Sequence, residues 1–251
     1  MTTSVLRPNM DNWQERVDLA AAFRWTVRLN MHEAVANHFS FAINDEGTKF
    51  LMNPNQMHFS RIKASDLIVV DANDPSSIEG PDAPDPTAWG LHGGLHRYCK
   101  HAHCAMHVHS PYATALASLA DSNLPAVDQN ACMFFNRYVI DNNYGGLAFE
   151  EEGARCASLF HDPKKKVMIM GNHGILIIGD TVAETFNRMF YFERACQTYL
   201  LALQTGQPLR ILDDAIAEKT AKELEAYPEQ DARHLAELKA ILDEEGSSYA
   251  A

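Results

Sequence analysis

Two histidines stand two residues apart in AMHVHSPYATALA, residues 105–117, inside an apolar run. Alternate residues of a β-strand face the same way, so His107 and His109 project together, about 7 Å apart along the backbone. Both can then reach one cation, since imidazole–zinc bonds are about 2.0–2.1 Å long. A third ligand has to come from elsewhere, and His173 in MGNHGILIIG is the best placed. It follows an apolar run and sits between glycines, where a tight turn can present one side chain. Three neutral imidazoles with one coordination position open are the donor set of a catalytic divalent site. An HxH pair alone also fits hydrogen-bonded core histidines. The same is true of His92 and His96, which share a helix face at i, i+4, and of His101 and His103.

These side chains need a scaffold, and hydrophobic periodicity supplies its outline. Residues 11–31 read as a helix, with Leu19, Ala22, Phe23 and Thr26 at helical spacing. NHFSFAIND, TKFLMNP and SDLIVVDAND read as three strands, the first alternating Phe39, Phe41 and Ile43. Residues 73–86 hold four prolines and many acids and are expected to be loop. A helix is expected over residues 87–101 despite Gly93 and Gly94, then a strand at CAMHVHS. SPYATALASLA follows as a helix with Ser110 as N-cap and Pro111 in its first turn. KKVMIMGNHGILIIGD reads as two strands joined at residues 171–174. A long helix begins after Thr181, whose capping-box partner is Glu184.

Composition narrows the function classes. The chain has 251 residues, 46% of them hydrophobic, so it can build a large core. Its formal charge of −12 argues against nucleic acid as a partner, because phosphate binding needs a basic face. Residues 211–251 carry −7 of that charge and are expected to form peripheral helices. The division expected is therefore a main domain over residues 1–205 and an acidic helical extension over 206–251, packed on or near it. Five cysteines without a CxxC pair point to reduced, buried thiols in the cytoplasm. No signal peptide or membrane span is expected, since every apolar run falls well short of about 20 residues.

HVHSPYATALA and VMIMGNHGILIIGDTVAETF, in this order and at this separation, resemble the class II aldolase/adducin family. The resemblance continues through LNMHEAVANHFSF and FLMNPNQMHFSRIKASDLIVVD and covers about residues 13–204. It implies an α/β fold, a three-layer α/β/α sandwich around a mainly antiparallel sheet. It implies His107, His109 and His173 as ligands of a divalent metal, zinc first, with manganese or iron as alternatives. It also implies a small-molecule substrate and a homo-oligomer, commonly a tetramer with sites at subunit boundaries. Sugar-phosphate aldolases of the family use zinc to polarise substrate oxygens and stabilise an enediolate.

This chain departs from those aldolases where they contact phosphate and move protons. Their P-S-S-E segment aligns with Asp85-Pro86-Thr87-Ala88, which replaces the proton-shuttling Glu by Ala88. Their T-P-T-G phosphate loop becomes Asn53-Pro54-Asn55-Gln56, and the Gly-Asn of the first motif becomes Asn37-His38. A sugar phosphate is therefore not the expected substrate. The reading is a metal-dependent carbon–carbon lyase, a decarboxylase or an aldolase, acting on a small non-phosphorylated hydroxy, oxo or aromatic acid. His92, His38 and Tyr144 are the candidates for proton transfer, and Asn55, Thr87 and Ser110 for substrate contact. Two alternatives use the same scaffold: an iron-dependent oxygenase with the same three histidines, and a non-catalytic interaction module like the adducin head.

Overall fold

Side-chain alternation sorts strand β4 (Cys104–Val108) between two cores, and the rest of the fold follows from that division. Cys104, Met106 and Val108 enter the larger core. Ala105 enters the smaller one on the opposite face. The computed structural model describes residues 10–80, 83–143, 145–146 and 150–251.

Among the described residues β4 lies at the centre of a seven-stranded sheet. Its companions are β1 (His38–Ala42), β2 (Lys49–Met52), β3 (Ile68–Asp71), β5 (Tyr138–Asp141), β6 (Val167–Met170) and β7 (Gly174–Gly179). The strand order is β3-β2-β1-β4-β7-β6-β5. All neighbours are antiparallel except the parallel β5–β6 pair. Helices α1 (Trp13–Arg28), α3 (Pro111–Ala117) and α6 (Val182–Gln204) cover the face of the larger core. Helices α2 (Pro86–Tyr98) and α5 (Glu150–Leu159) cover the other. The result is the expected three-layer α/β/α sandwich.

Helix α2 forms despite its glycines because packing overrides their low helix propensity. A Cβ on Gly94 would stand 2.5 Å from the Cα of Gly153 in α5, and one on Gly153 would stand 2.2 Å from the carbonyl oxygen of Gly90. The two helices touch backbone to backbone there, which only glycine permits. Gly153→Ala is expected to cost about 1–3 kcal/mol, the usual range for overpacking, and to lower the melting temperature without changing the fold. An unchanged melting temperature would contradict this contact.

Most remaining elements match the pattern reading, with shifts of a few residues at their ends. The expected loop over residues 73–86 contains one short 3-10 turn, Pro75–Ile78, and ends where Asp85 caps α2 by accepting the Thr87 N–H. The capping box of α6 is present in shifted form. Thr181 accepts the Glu184 N–H, but the Glu184 carboxylate accepts from Asp180 instead of Thr181. Among the described α-helices and strands, three escaped the pattern reading: the one-turn helix α4 (Gln129–Cys132), strand β5 and helix α5. β5 is four residues long, too short for a clear period, and the buried face of α5 is made of the small residues Gly153, Cys156 and Ala157.

The acidic C-terminal segment forms α7 (Asp214–Glu225) and α8 (Gln230–Glu244). Trp25 of α1 donates its indole N–H to the carbonyl of Leu238, 2.9 Å away. Arg137 is buried and its guanidinium is held by Glu218 and Glu225 of α7, which keep it charged. No described helix is long and apolar enough to cross a membrane.

Candidate metal centre

His107 lies on β4, His109 just past its end, and His173 in the turn between β6 and β7. β7 pairs with β4, so the turn hangs over the point where β4 leaves the sheet. Asn172 holds the left-handed conformation the turn needs, at φ 59°, and its N–H donates to the carbonyl of Ala117. A Cβ on Gly174 would stand 2.6 Å from the Val108 carbonyl oxygen and 2.7 Å from Cδ2 of His109. Only glycine lets the turn approach that closely. One nitrogen from each of the three rings falls in a group whose members all lie within 4.8 Å of one another. The ring centroids are 4.7–4.8 Å apart.

Hydrogen bonds fix which nitrogens face inward. Nδ1 of His107 lies 3.0 Å from the carbonyl oxygen of Ile175, which can only accept, so Nδ1 carries the proton. Nδ1 of His109 donates to the carboxylate of Glu33. In the neutral rings both Nε2 atoms are then bare lone pairs, and they face each other 2.9 Å apart. Two such lone pairs repel unless a cation lies between them. Burial, reinforced by the surrounding histidines, pushes the pKa of His107 well down. Burial also lowers His173, with His109 adding to the effect. His107 and His173 therefore stay neutral and available as donors at neutral pH.

Glu33 carries no motif and was invisible in the sequence. It is more than half exposed, yet it orients His109 as outer carboxylates orient metal-binding imidazoles. Glu33→Ala is expected to weaken metal binding by about 10–100-fold with little loss of stability. Titration of the metal-free variant with zinc checks this, and parental affinity would rule the role out.

A second layer of buried histidines lies beside the first. His38 on β1 is in register with His107 on β4, and their rings stack with centroids 4.9 Å apart. Nδ1 of His38 is 2.7 Å from Nε2 of His92. Nδ1 of His92 bonds to the hydroxyl of Ser40, and that hydroxyl is 2.6 Å from Nε2 of His96. Nδ1 of His96 ends the series on the carbonyl oxygen of Ala102, at 2.6 Å. Burial dominates the pKa values: His38 and His96 are each lowered to about 4, and His92 falls well below its usual value. His38 also lines a small cavity with Asn53, Asn55, Asp85 and Ala88.

Several expected site residues stand differently from their sequence reading. His92 is fully buried with both nitrogens bonded inside the fold, so it reaches a substrate only through His38. Ser110 does not cap α3 with its side chain and is fully buried. Its hydroxyl donates instead to Glu193 of α6, whose carboxylate also accepts the N–H groups of Tyr112 and Ala113. Glu193 thus caps α3 from a distance of 80 residues in sequence, which no local signal reveals. Thr87 turns its hydroxyl to Asp85 at 2.5 Å, while Asn55 lies exposed on the cavity rim. Tyr144 lies outside the described residues.

A second cluster, Asp141, Glu152 and Cys156, also brings donor atoms within 4.8 Å. Arg155 already pairs with both carboxylates there, and burial first, then Glu152, raises the Cys156 thiol to about 12. That cluster has its cation in Arg155. All five cysteines are buried and free.

The sequence model of the Class II Aldolase and Adducin N-terminal domain matches residues 17–200. The chain belongs to the class II aldolase/adducin family. Among its relatives in this family is a protein of Caulobacter vibrioides provisionally named an aldolase class 2 protein. It is 32% identical over 197 residues, covering 78% of this chain and 75% of the relative. Decarboxylase NovR of Streptomyces niveus is 27% identical over 210 residues, covering 83% and 76%. The crystal structure of an aldolase II superfamily protein from Pseudomonas syringae superposes with a TM-score of 0.83 at 26% identity, covering 95% of this chain and 96% of that one. The class II aldolase/adducin match spans the elements that carry all three clustered histidines.

Proposed function

We propose that this class II aldolase/adducin family member is a divalent-metal-dependent carbon–carbon lyase for a small, non-phosphorylated hydroxy, oxo or aromatic acid. The carrying observation is the pair of Nε2 lone pairs of His107 and His109 facing each other beside His173, with both outer nitrogens tied to acceptors. This donor set fits a borderline divalent ion such as zinc, with manganese or iron as alternatives. When bound there, the cation supplies Lewis-acid polarisation of substrate oxygens.

The chain's own residues narrow the substrate. Ala88 is fully buried against Phe50, Met52 and Val70, and it has no proton to exchange. The cavity beside it is lined by Asp85, His38 and amides, with no lysine or arginine among its described lining residues. The Asp85 carboxylate, with no basic lining residue to offset it, disfavours a phosphate group of the same charge sign. Proton handling falls to His38, backed by His92, with Tyr144 as a further candidate. Similarity to a relative named decarboxylase supports the decarboxylase branch of the reading. The same proposal includes a homotetramer in the cytoplasm and an acidic extension over residues 206–251.

The test is an assay of protein loaded separately with zinc, manganese or iron. Carbonyl product and carbon dioxide are measured from matched phosphorylated and non-phosphorylated compounds, with oxygen uptake followed in parallel. The expected result is metal-dependent cleavage without oxygen uptake and without preference for the phosphorylated partner. Oxygen uptake coupled to iron would replace the lyase reading with the oxygenase one. Stoichiometric metal binding with no turnover of any compound would leave an adducin-like module.

A further inference from the structure

We propose that the chain from His38 through His92, Ser40 and His96 to the carbonyl of Ala102 is a tautomer lock. It fixes Nε2 of His38 as a hydrogen-bond acceptor in the resting site, ready to take a proton, so the site selects substrates that present a hydroxyl group to it. The inference rests on the metal-dependent reading of the site and deepens it by specifying the substrate.

The assignment follows from the one group in the chain that has no choice. A carbonyl oxygen only accepts, so Nδ1 of His96 carries a proton for Ala102. Nε2 of the neutral His96 must then accept, and the Ser40 hydroxyl donates to it. That hydroxyl has one hydrogen, so toward His92 it accepts, and Nδ1 of His92 donates. Nε2 of His92 is left as an acceptor and takes the proton on Nδ1 of His38. Every proton is then placed, and Nε2 of His38 is bare.

The opposite arrangement is expensive. Protonating Nε2 of His38 would strip Nδ1 of its hydrogen and leave two lone pairs opposed at 2.7 Å across the His38–His92 contact. Restoring that bond would need a new proton on His92, whose other nitrogen already donates to Ser40. His92 and Ser40 are fully buried and His96 is 3% exposed, so water cannot repair a broken link. Ser40, His92 and His96 are thus positioning residues, acting through His38. His38 itself stacks on His107 and lines the small cavity beside Ala88, together with Asp85. A bare lone pair there attracts an O–H and repels a phosphate or carboxylate oxygen. Sites built to bond a hydroxyl reject analogues that lack it strongly.

Two measurements test this. In the metal-free protein, nitrogen-15 spectra of the histidine rings should show His38 and His92 as Nδ1–H tautomers. Ser40→Ala should shift His38 toward Nε2–H, and Ser40→Thr, which keeps the hydroxyl, should restore the parental signal. In the zinc-loaded protein, calorimetry compares glycolate with methoxyacetate, its methyl ether. Parent and Ser40→Thr should prefer glycolate by at least about tenfold, and Ser40→Ala should lose most of that preference. Comparing the ratio between variants cancels whatever the cation itself contributes to hydroxyl binding. A parental His38 protonated at Nε2, or a preference that survives Ser40→Ala, would overturn the lock. Failure of the lyase reading looks different: the tautomers and the hydroxyl preference would be as stated, with no cleavage of any compound.

Discussion

Replacing His109 or His173 with alanine is expected to abolish stoichiometric metal binding and to cut turnover by about 1,000-fold or more. The size follows from the role: polarisation by a bound cation is worth several kcal/mol of transition-state stabilisation. Removing one of three imidazoles leaves two, and the lone pairs no longer converge from three sides. His109 and His173 are the better targets because both are only partly buried, whereas His107 is 2% exposed and its loss would also disturb the core. The check is elemental analysis of the purified variants beside the parent, together with their circular dichroism. Parental metal content in a folded His173→Ala variant would remove the basis for the enzymatic reading.

The second large effect is on stability in mild acid. His38 and His96 have pKa values lowered to about 4 in the folded protein, and His92 is lowered as well, chiefly by burial. In the unfolded chain each ring titrates near 6.5. Above pH 6.5 both states hold these rings neutral and there is no effect. As the pH falls below 6.5 the unfolded chain takes up protons that the folded one refuses, so stability is lost. The loss continues until the pH reaches the folded value near 4. By pH 5 it amounts to about 2 kcal/mol per ring. Several rings together approach the total stability of an ordinary domain, about 5–15 kcal/mol. The urea midpoint of the metal-free protein should therefore drop steeply between pH 7 and 5, a window above most carboxylate titration. A flat midpoint across it would mean that these rings are not buried as a neutral network.

The two expectations concern adjacent layers of histidine, and the sequence treats the layers very differently. The first layer was legible. An HxH pair on a strand has its side chains on one face by simple alternation, and a histidine in a glycine-flanked turn is visible as such. The second layer was only half legible. His92 and His96 at i, i+4 mark a shared helix face, but nothing local says that the face meets Ser40 and His38. That contact joins α2 to β1 across more than 50 residues, and it turns His92 from a substrate-facing candidate into an internal hydrogen-bond carrier.

Residues without a motif were the least legible. Glu33 lies in the loop after α1 and reaches His109 from 76 residues away. Glu193 looks like any charged residue on a long helix, yet it is 6% exposed and caps α3 in place of Ser110. Gly94 of α2 counts against a helix by propensity and proves to be part of the contact surface with α5.

Local chemistry is what the sequence determined by itself: strand and helix periods, the cap at Thr181, the turn around His173, and the residue types able to hold a cation. These depend on near neighbours, and the chain spells out near neighbours directly. Only the tertiary structure decided tautomers, proton positions and which polar groups are buried together. Those depend on partners brought in by sheet register and helix packing, and a hydrogen bond has no direction until both of its ends are in place.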